Sequence, residues 1–516
     1  MYKKMKFLDC TLRDGGYYTG WDFDEEIVNT YLKSVENLPI DVIEVGYRSN
    51  PHEEYLGEFF YLPTETLDKV KSLAPSKKVA IMFNEKEILP KDSEKLLKSA
   101  IEKVDLVRLA VDPKRFDDAL VLAKSIKKQG FEVAINLMYA SKWMYDKDIL
   151  KKLPKMNGVI EYFNIVDSYG GMLPKEIKMV VTAVKKRLKI KLGFHGHNNL
   201  ELGFANALVA MEAGCEFIDG TMTGIGRGAG NMRTELFLSW ASMKSGIKVD
   251  FDILSNVVSM FEKLKEKHQW GTHLPYIVSG LGSLPQKDVM NWVTKRLYSM
   301  NNIMYALENK HTGGKNGFKL PGIRESERYL KTLLIAGGSN AVHHKTAIKK
   351  WISKHKKDTL LIHVSARNAK HYKDIDVPQF VCLVGNEGHR LESMLGEVHP
   401  NLRCILPPSP REMGEYIPTK MKDKAHELSD VKFTEKYKDS GTAIAIQLSI
   451  DVGAKHLYTA GYDGHSGPSI EKKDYEVSRE NDYLFDIYTK NIGVIHTLTP
   501  SDHTLLKTCS VYGEVN

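Results

Sequence analysis

Two histidines, His195 and His197, stand two residues apart in Lys191-Leu-Gly-Phe-His-Gly-His-Asn-Asn199, where a short apolar run ends. In a β-strand, residues i and i+2 face the same way, so imidazoles at this spacing can reach one metal ion from the carboxyl end of a strand. The same pair also suits ordinary strand packing, so the metal reading depends on further ligands. Asp9-Cys-Thr-Leu-Arg-Asp-Gly-Gly16 supplies a carboxylate, Asp14, and a cation, Arg13, after another strand-like stretch, with Gly15 and Gly16 read as opening a loop. Asn231 closes the glycine-rich stretch Gly220-Thr-Met-Thr-Gly-Ile-Gly-Arg-Gly-Ala-Gly-Asn231 and offers a carbonyl oxygen. A divalent ion held by Asp14, His195 and His197, with Asn231 as fourth ligand, keeps positions open for water or substrate. A 2-oxo acid chelated there would have its keto group polarised, so that cleaving C3–C4 releases an aldehyde and leaves an enolate. Arg13 is expected to stabilise the enolate oxygen. Glu44 and Asp167 are expected to hydrogen-bond Arg13 or a histidine and so hold the ligands in orientation.

These residues recur at the ends of β-rich runs. Strands are predicted over Lys6 to Cys10, Val42 to Gly46, Val79 to Phe83, Leu106 to Val111, Glu132 to Leu137, Tyr162 to Val166, Lys191 to Phe194 and Phe217 to Thr221. Amphipathic helical patterns lie between them, among them Asp24 to Glu36, Phe116 to Gln129 and Leu200 to Ala213. Strand and helix alternating eight times predict a parallel (β/α)₈ barrel, with an open doubly wound sheet as the rival. The barrel is preferred because Arg13, Asp14, Glu44, Asn136, Asp167, His195, His197 and Asn231 would then converge on one mouth.

Bulk properties narrow the classes. A chain of 516 residues implies more than one domain, and 42% hydrophobic with 27% charged residues is an ordinary globular composition. The net charge of +8 is scattered lysine on helix-like faces, which argues against nucleic acid as a partner but favours anionic substrates. Five cysteines without a Cys-x-x-Cys pair read as buried free thiols in a reducing compartment. With no long apolar run to span a membrane, a cytoplasmic protein is expected.

The order Arg-Asp at the first strand, His-x-His at the seventh and Gly-x-Gly-x-Gly-Ala-Gly-Asn after the eighth resembles the metal-dependent lyase and aldolase barrels. That superfamily contains hydroxymethylglutaryl-CoA lyase, isopropylmalate synthase and 4-hydroxy-2-oxovalerate aldolase. The aldolase branch is the nearest in its motifs. Synthases usually continue Thr-Leu-Arg-Asp-Gly with Glu-Gln, whereas this chain continues with Gly16 and Tyr17, and the loop lacks the cysteine of the lyase branch. The resemblance implies Mn²⁺ or Mg²⁺ among the metals the ligand set suits, Co²⁺ and Zn²⁺ being the others. It also implies a small-molecule 2-oxo acid and an aldehyde as partners, and a homo-oligomer. Tyr17 stands where the aldolases carry a histidine thought to be the general base. A phenol with an ordinary pKa of about 10 is suited to donating a proton or orienting a water.

Residues 1–245 are thus read as the barrel, 246–308 as a helical extension, 309–328 as a linker and 329–516 as a Rossmann-like α/β domain. In the last, Thr332-Leu-Leu-Ile-Ala-Gly-Gly-Ser-Asn340 is a strand-to-helix turn. Gly337, Gly338 and Ser339 are its candidate seat for a nucleotide or nucleotide-sugar phosphate. Ala-Gly-Gly-Ser, Ser440-Gly-Thr-Ala443 and Ala460-Gly-Tyr-Asp463 faintly resemble a Rossmann-like family that includes bacterial sialyltransferases and motility accessory transferases.

The function expected is a metal-dependent aldolase making or cleaving a 4-hydroxy-2-oxo acid, in the condensation direction for a surface polysaccharide. An acyl-CoA Claisen-type synthase and a glycosyltransferase or scaffold with an inactive barrel are the alternatives.

Overall fold

The computed structural model describes residues 5–53, 55–295, 298–312, 318–324, 326–411, 413, 415–464 and 472–515. The middle of the expected linker, 313–317, lies outside them. The chain divides into two compact units, residues 1–290 and 291–516.

The first unit is a closed barrel of eight parallel strands in sequential order. They are β1 (Lys6–Asp9), β2 (Val42–Tyr47), β3 (Lys78–Asn84), β4 (Leu106–Val111), β5 (Glu132–Leu137), β6 (Tyr162–Asp167), β7 (Lys191–Gly196) and β8 (Phe217–Gly220). Closure is the pairing of β1 with both β2 and β8. The period of two along each strand builds the interior in layers. Leu8, Val42, Ala80, Leu106, Ala134, Tyr162 and Phe217 form one apolar layer. Two residues further along the same strands come Cys10, Glu44, Met82, Arg108, Asn136, Asn164 and Asp219, all buried and all but Cys10 and Met82 polar or charged. The sequence therefore places a polar layer directly above an apolar plug.

The expected loop at Gly15 and Gly16 is instead helix: Thr11–Thr19 forms α1, running straight from β1. The glycines are there for room. A Cβ on Gly16 would stand 2.1 Å from the Trp21 ring, and one on Gly15 would stand 2.9 Å from Ile225 Cδ1. Helices follow the barrel strands within 246–308. Helices Phe251–His268 and Leu274–Leu281 belong to the first unit, where Phe261 is fully buried against Tyr31 and the Tyr276 carbonyl accepts from Asn199 Nδ2 at 2.9 Å. Helix Met300–Thr312 belongs to the second and runs into the stretch read as linker.

The second unit carries a parallel sheet of β9 (Lys331–Ile335), β10 (Thr359–His363), β11 (Gln379–Cys382), β12 (Arg403–Leu406), β13 (Ala425–Glu427), β14 (His456–Ala460), β15 (Ile495–Thr497) and β16 (Lys507–Thr508). The order β13-β12-β11-β10-β9-β14-β15-β16 reverses direction between β9 and β14, as in a doubly wound sheet. The edge strands β13 and β16, of three and two residues, are too short to show any hydrophobic period. Among the described residues no helix is long and apolar enough to cross a membrane.

His363, at the end of β10, is fully buried with Nε2 2.9 Å from Gln379 Oε1 and Nδ1 unpartnered. Burial pushes its pKa down to about 4. The folded value lies below the unfolded value of about 6.5, so protons bind the unfolded chain preferentially. Its contribution is complete above about pH 6.5 and is lost as pH falls towards 4, by about 3 kcal/mol. In urea titrations between pH 7 and pH 4, His363→Leu should show a flatter decline than the parent. Parallel declines would contradict this.

Candidate metal centre at the barrel mouth

The polar layer and the residues just above it form a closed ring of charge. Arg13 Nε donates to Glu44 Oε2 at 2.7 Å, and Glu44 Oε2 lies 3.1 Å from Arg108 Nη1. Arg108 Nη2 pairs with Asp219 Oδ2, which faces His195 Nδ1 at 2.9 Å. His195 Nε2 lies 3.5 Å from Asp14 Oδ2, and Asp14 Oδ1 pairs with Arg13 Nη1, closing the ring. Every member is buried. Asn136 Oδ1 accepts from Arg108 Nε at 3.2 Å and from Asn164 Nδ2 at 2.8 Å, fixing the guanidinium from the far side.

His197 stands beside this ring, its imidazole 5.1 Å from that of His195 and nearly perpendicular to it. Its Nδ1 donates to the backbone carbonyl of Asp167 at 2.8 Å. On both imidazoles, then, Nδ1 is engaged by an oxygen and Nε2 carries the lone pair, the arrangement that second-sphere groups impose on metal-binding histidines. Burial, then the neighbouring His195, pushes the His197 pKa down to about 3, so the ring is neutral at pH 7. Burial opposes ionisation of Asp14, but Arg13 and the two imidazoles outweigh it and hold the carboxyl below its ordinary value.

Asp14, His195 and His197 present one ligand atom each within 4.8 Å of one another. Asn231 Nδ2 donates to Asp14 Oδ2 at 2.5 Å, while its Oδ1 is buried with no partner. The ring holds the carboxylates of Asp14, Glu44 and Asp219 against the guanidinium ions of Arg13 and Arg108, leaving buried negative charge in excess. Converging lone pairs, an orphaned carbonyl oxygen and uncompensated negative charge fit a divalent cation. A second grouping, Cys10 with His195 and Asp219, is as compact. It makes a poorer cradle, because burial drives the Cys10 thiol well above its ordinary pKa and Asp219 already serves Arg108 and His195.

The glycine loop gives Asn231 its position. His197 and Asn231 form an antiparallel bridge, and Asn231 N–H donates to Gly224 O at 3.0 Å. Gly230 has φ of +85°, and a Cβ there would fall 1.9 Å from the Gly224 carbonyl, so only glycine closes this turn.

The other expected site residues fall into place differently. The Asp167 carboxylate accepts from Met172 N–H at 3.1 Å and touches neither Arg13 nor a histidine; its backbone carbonyl is what meets His197. Burial pushes this carboxyl up to about 6 against the pull of nearby backbone N–H groups. Tyr17 places its hydroxyl 3.0 Å from that of Tyr47. In the second unit, Asp463 Oδ2 accepts from the Ser339 hydroxyl at 3.0 Å and the Asn340 N–H at 3.1 Å, beside Gly337 and Gly338. A protein carboxylate thus occupies donors that a phosphate would use. Arg108 and Asp219 escaped the sequence reading. Their signal is a charged residue at the interior-facing position of an otherwise apolar strand, two after Leu106 and two after Phe217.

Comparison with known proteins bears on this centre. The HMGL-like family model matches residues 85–259. The chain is 32% identical over 260 residues to a 4-hydroxy-2-oxovalerate aldolase of Chloroflexus aurantiacus, a match spanning 49% of this chain and 73% of the relative. The chain belongs to the HMGL-like family. Other HMGL-like similarity includes an oxaloacetate decarboxylase of Mycobacterium tuberculosis, 27% identical over 45% of this chain and 68% of that one. A crystal structure of the N-terminal domain of a candidate aldolase from Bacteroides vulgatus is matched at 49% identity and a TM-score of 0.56, over 58% of this chain and all of that one. As an HMGL-like protein, this chain is a carbon–carbon lyase of the metal-dependent aldolase type.

Proposed function

We propose that the barrel cleaves or forms a 4-hydroxy-2-oxo acid, with Mn²⁺ or Mg²⁺ held by Asp14, His195, His197 and the Asn231 carbonyl. The observation that carries this reading is the paired Nδ1 anchoring of both imidazoles, which commits their Nε2 lone pairs to the point Asp14 faces. A divalent ion bound there would supply Lewis-acid polarisation of a 2-oxo group.

The protein's own groups complete the reaction. Arg13 spends Nε on Glu44 and Nη1 on Asp14, leaving its remaining N–H donors for the oxygen that gains charge as C3–C4 breaks. The proton of the 4-hydroxyl must leave as the aldehyde forms, and the enolate carbon must gain one. The Tyr17 hydroxyl, partly exposed and 3.0 Å from that of Tyr47, carries both transfers: it takes up the 4-hydroxyl proton as the aldehyde forms and gives its own proton to the enolate carbon, so Tyr17 ends as it began. Burial, then Tyr17, raises the Tyr47 pKa well above the ordinary phenol value, so Tyr47 stays protonated and holds Tyr17 in place.

The test is pyruvate release, followed with a coupled dehydrogenase, from a panel of 4-hydroxy-2-oxo acids with Mn²⁺ present. Oxaloacetate belongs in the panel, since loss of its C4 carboxylate as CO₂ leaves the same enolate. Release that a chelator abolishes and added Mn²⁺ restores is expected. Equal release with and without chelator would overturn the reading.

A further inference from the structure

The arginines of the barrel unit are nearly all spoken for. Arg13, Arg108, Arg115 and Arg233 pair with carboxylates, and Arg48 and Arg187 donate to backbone carbonyls. Among the described residues, Arg227 has neither a carboxylate nor a hydrogen-bond acceptor; its guanidinium lies over the Tyr17 ring, 5.9 Å from the centroid. It is half-buried in the loop that ends at the metal-site residue Asn231. That loop is pinned on both sides. Gly228 O accepts from the buried Tyr18 hydroxyl at 2.7 Å, and Arg227 O accepts from Gly230 N–H at 3.2 Å.

The neighbourhood is built for a charged, partly apolar group. Tyr139 and Tyr169 stack at 5.4 Å, with Lys142 above Tyr169 at 5.0 Å. The field of Arg227 reaches both phenols and His197, where it opposes protonation. The nearby carboxylate, Asp112, is turned to the backbone N–H of Lys114 at 2.9 Å. A half-desolvated guanidinium held on a rigid loop, unpaired and beside the proposed reaction centre, is short of one anion.

We propose that Arg227 binds a second negative charge on the substrate, a carboxylate or a phosphate at the end remote from the 2-oxo carboxylate. This rests on the reading of the centre given above and specifies its substrate class as dianionic oxo acids. The charge-assisted, two-pronged hydrogen bond of guanidinium to an oxyanion is expected to favour such substrates by roughly tenfold or more.

The test uses the full chain with Mn²⁺ and a pair of unreactive five-carbon probes, 2-oxoglutarate and 2-oxopentanoate, which differ in a terminal carboxylate against a methyl. Calorimetry should show 2-oxoglutarate binding about tenfold tighter or more, with the ratio falling to about one in Arg227→Met and partly restored in Arg227→Lys. Competition by inorganic phosphate against 2-oxoglutarate, lost in Arg227→Met, would mark phosphate as an accepted group; absence of competition with the tenfold ratio intact would mark carboxylate. Equal binding of the two probes by the parent protein overturns this inference and leaves the aldolase reading standing. Binding of neither probe overturns both.

Discussion

His197→Ala is expected to lower pyruvate release by roughly 10³-fold and to abolish stoichiometric Mn²⁺ binding in equilibrium dialysis. The ring is buried, neutral at pH 7 and fixed by the Asp167 carbonyl at 2.8 Å, so its Nε2 costs little to desolvate or orient when an ion arrives. Alanine removes one of three converging lone pairs and leaves Asp14 facing His195 alone. Asp219→Asn supplies the graded comparison. It keeps the ligand His195 but weakens the carboxylate at its Nδ1, and outer partners of this kind typically cost roughly 10–100-fold. A His197→Ala protein that retained both Mn²⁺ stoichiometry and pyruvate release would remove the centre from this position.

The second large effect is on stability. Arg108→Leu should destabilise the barrel by about 3–5 kcal/mol, seen as a fall in Tm on the order of 10 °C. Arg108 is fully buried and bridges Glu44 and Asp219, so its removal strands two carboxylates in the interior with only Arg13 left to compensate. The Asn136 carbonyl oxygen would also lose one of its two donors. The double variant Arg108→Leu with Asp219→Asn removes one stranded charge and should recover part of the loss. If Arg108→Leu melted with the parent, the ring of charges would not be holding the barrel together.

Much of this was legible because strand periodicity and motif order are local. Alternating runs predicted eight strands in their barrel order, and Leu106–Val111 and Glu132–Leu137 matched to the residue. His195 and His197 could be seen as a pair because two residues along a strand is a fixed spatial relation. The helix over Gly15 and Gly16 was hidden. Glycine lowers helix propensity, and the reason for it there lies with Trp21 and Ile225, the latter more than 200 positions away in the sequence.

The sequence by itself determined the alternation, the polar residues at interior-facing strand positions and the chemical types available at the mouth, since each follows from spacing along one strand. Tertiary structure alone decided that Glu44 and Asp219 meet through Arg108, that Asp167 serves His197 with its carbonyl instead of its carboxylate, and that Arg227 lies over the Tyr17 ring and, among the described residues, meets no carboxylate. Closing the barrel juxtaposes strands far apart in sequence, and ion pairing across it depends on distances that no local pattern encodes.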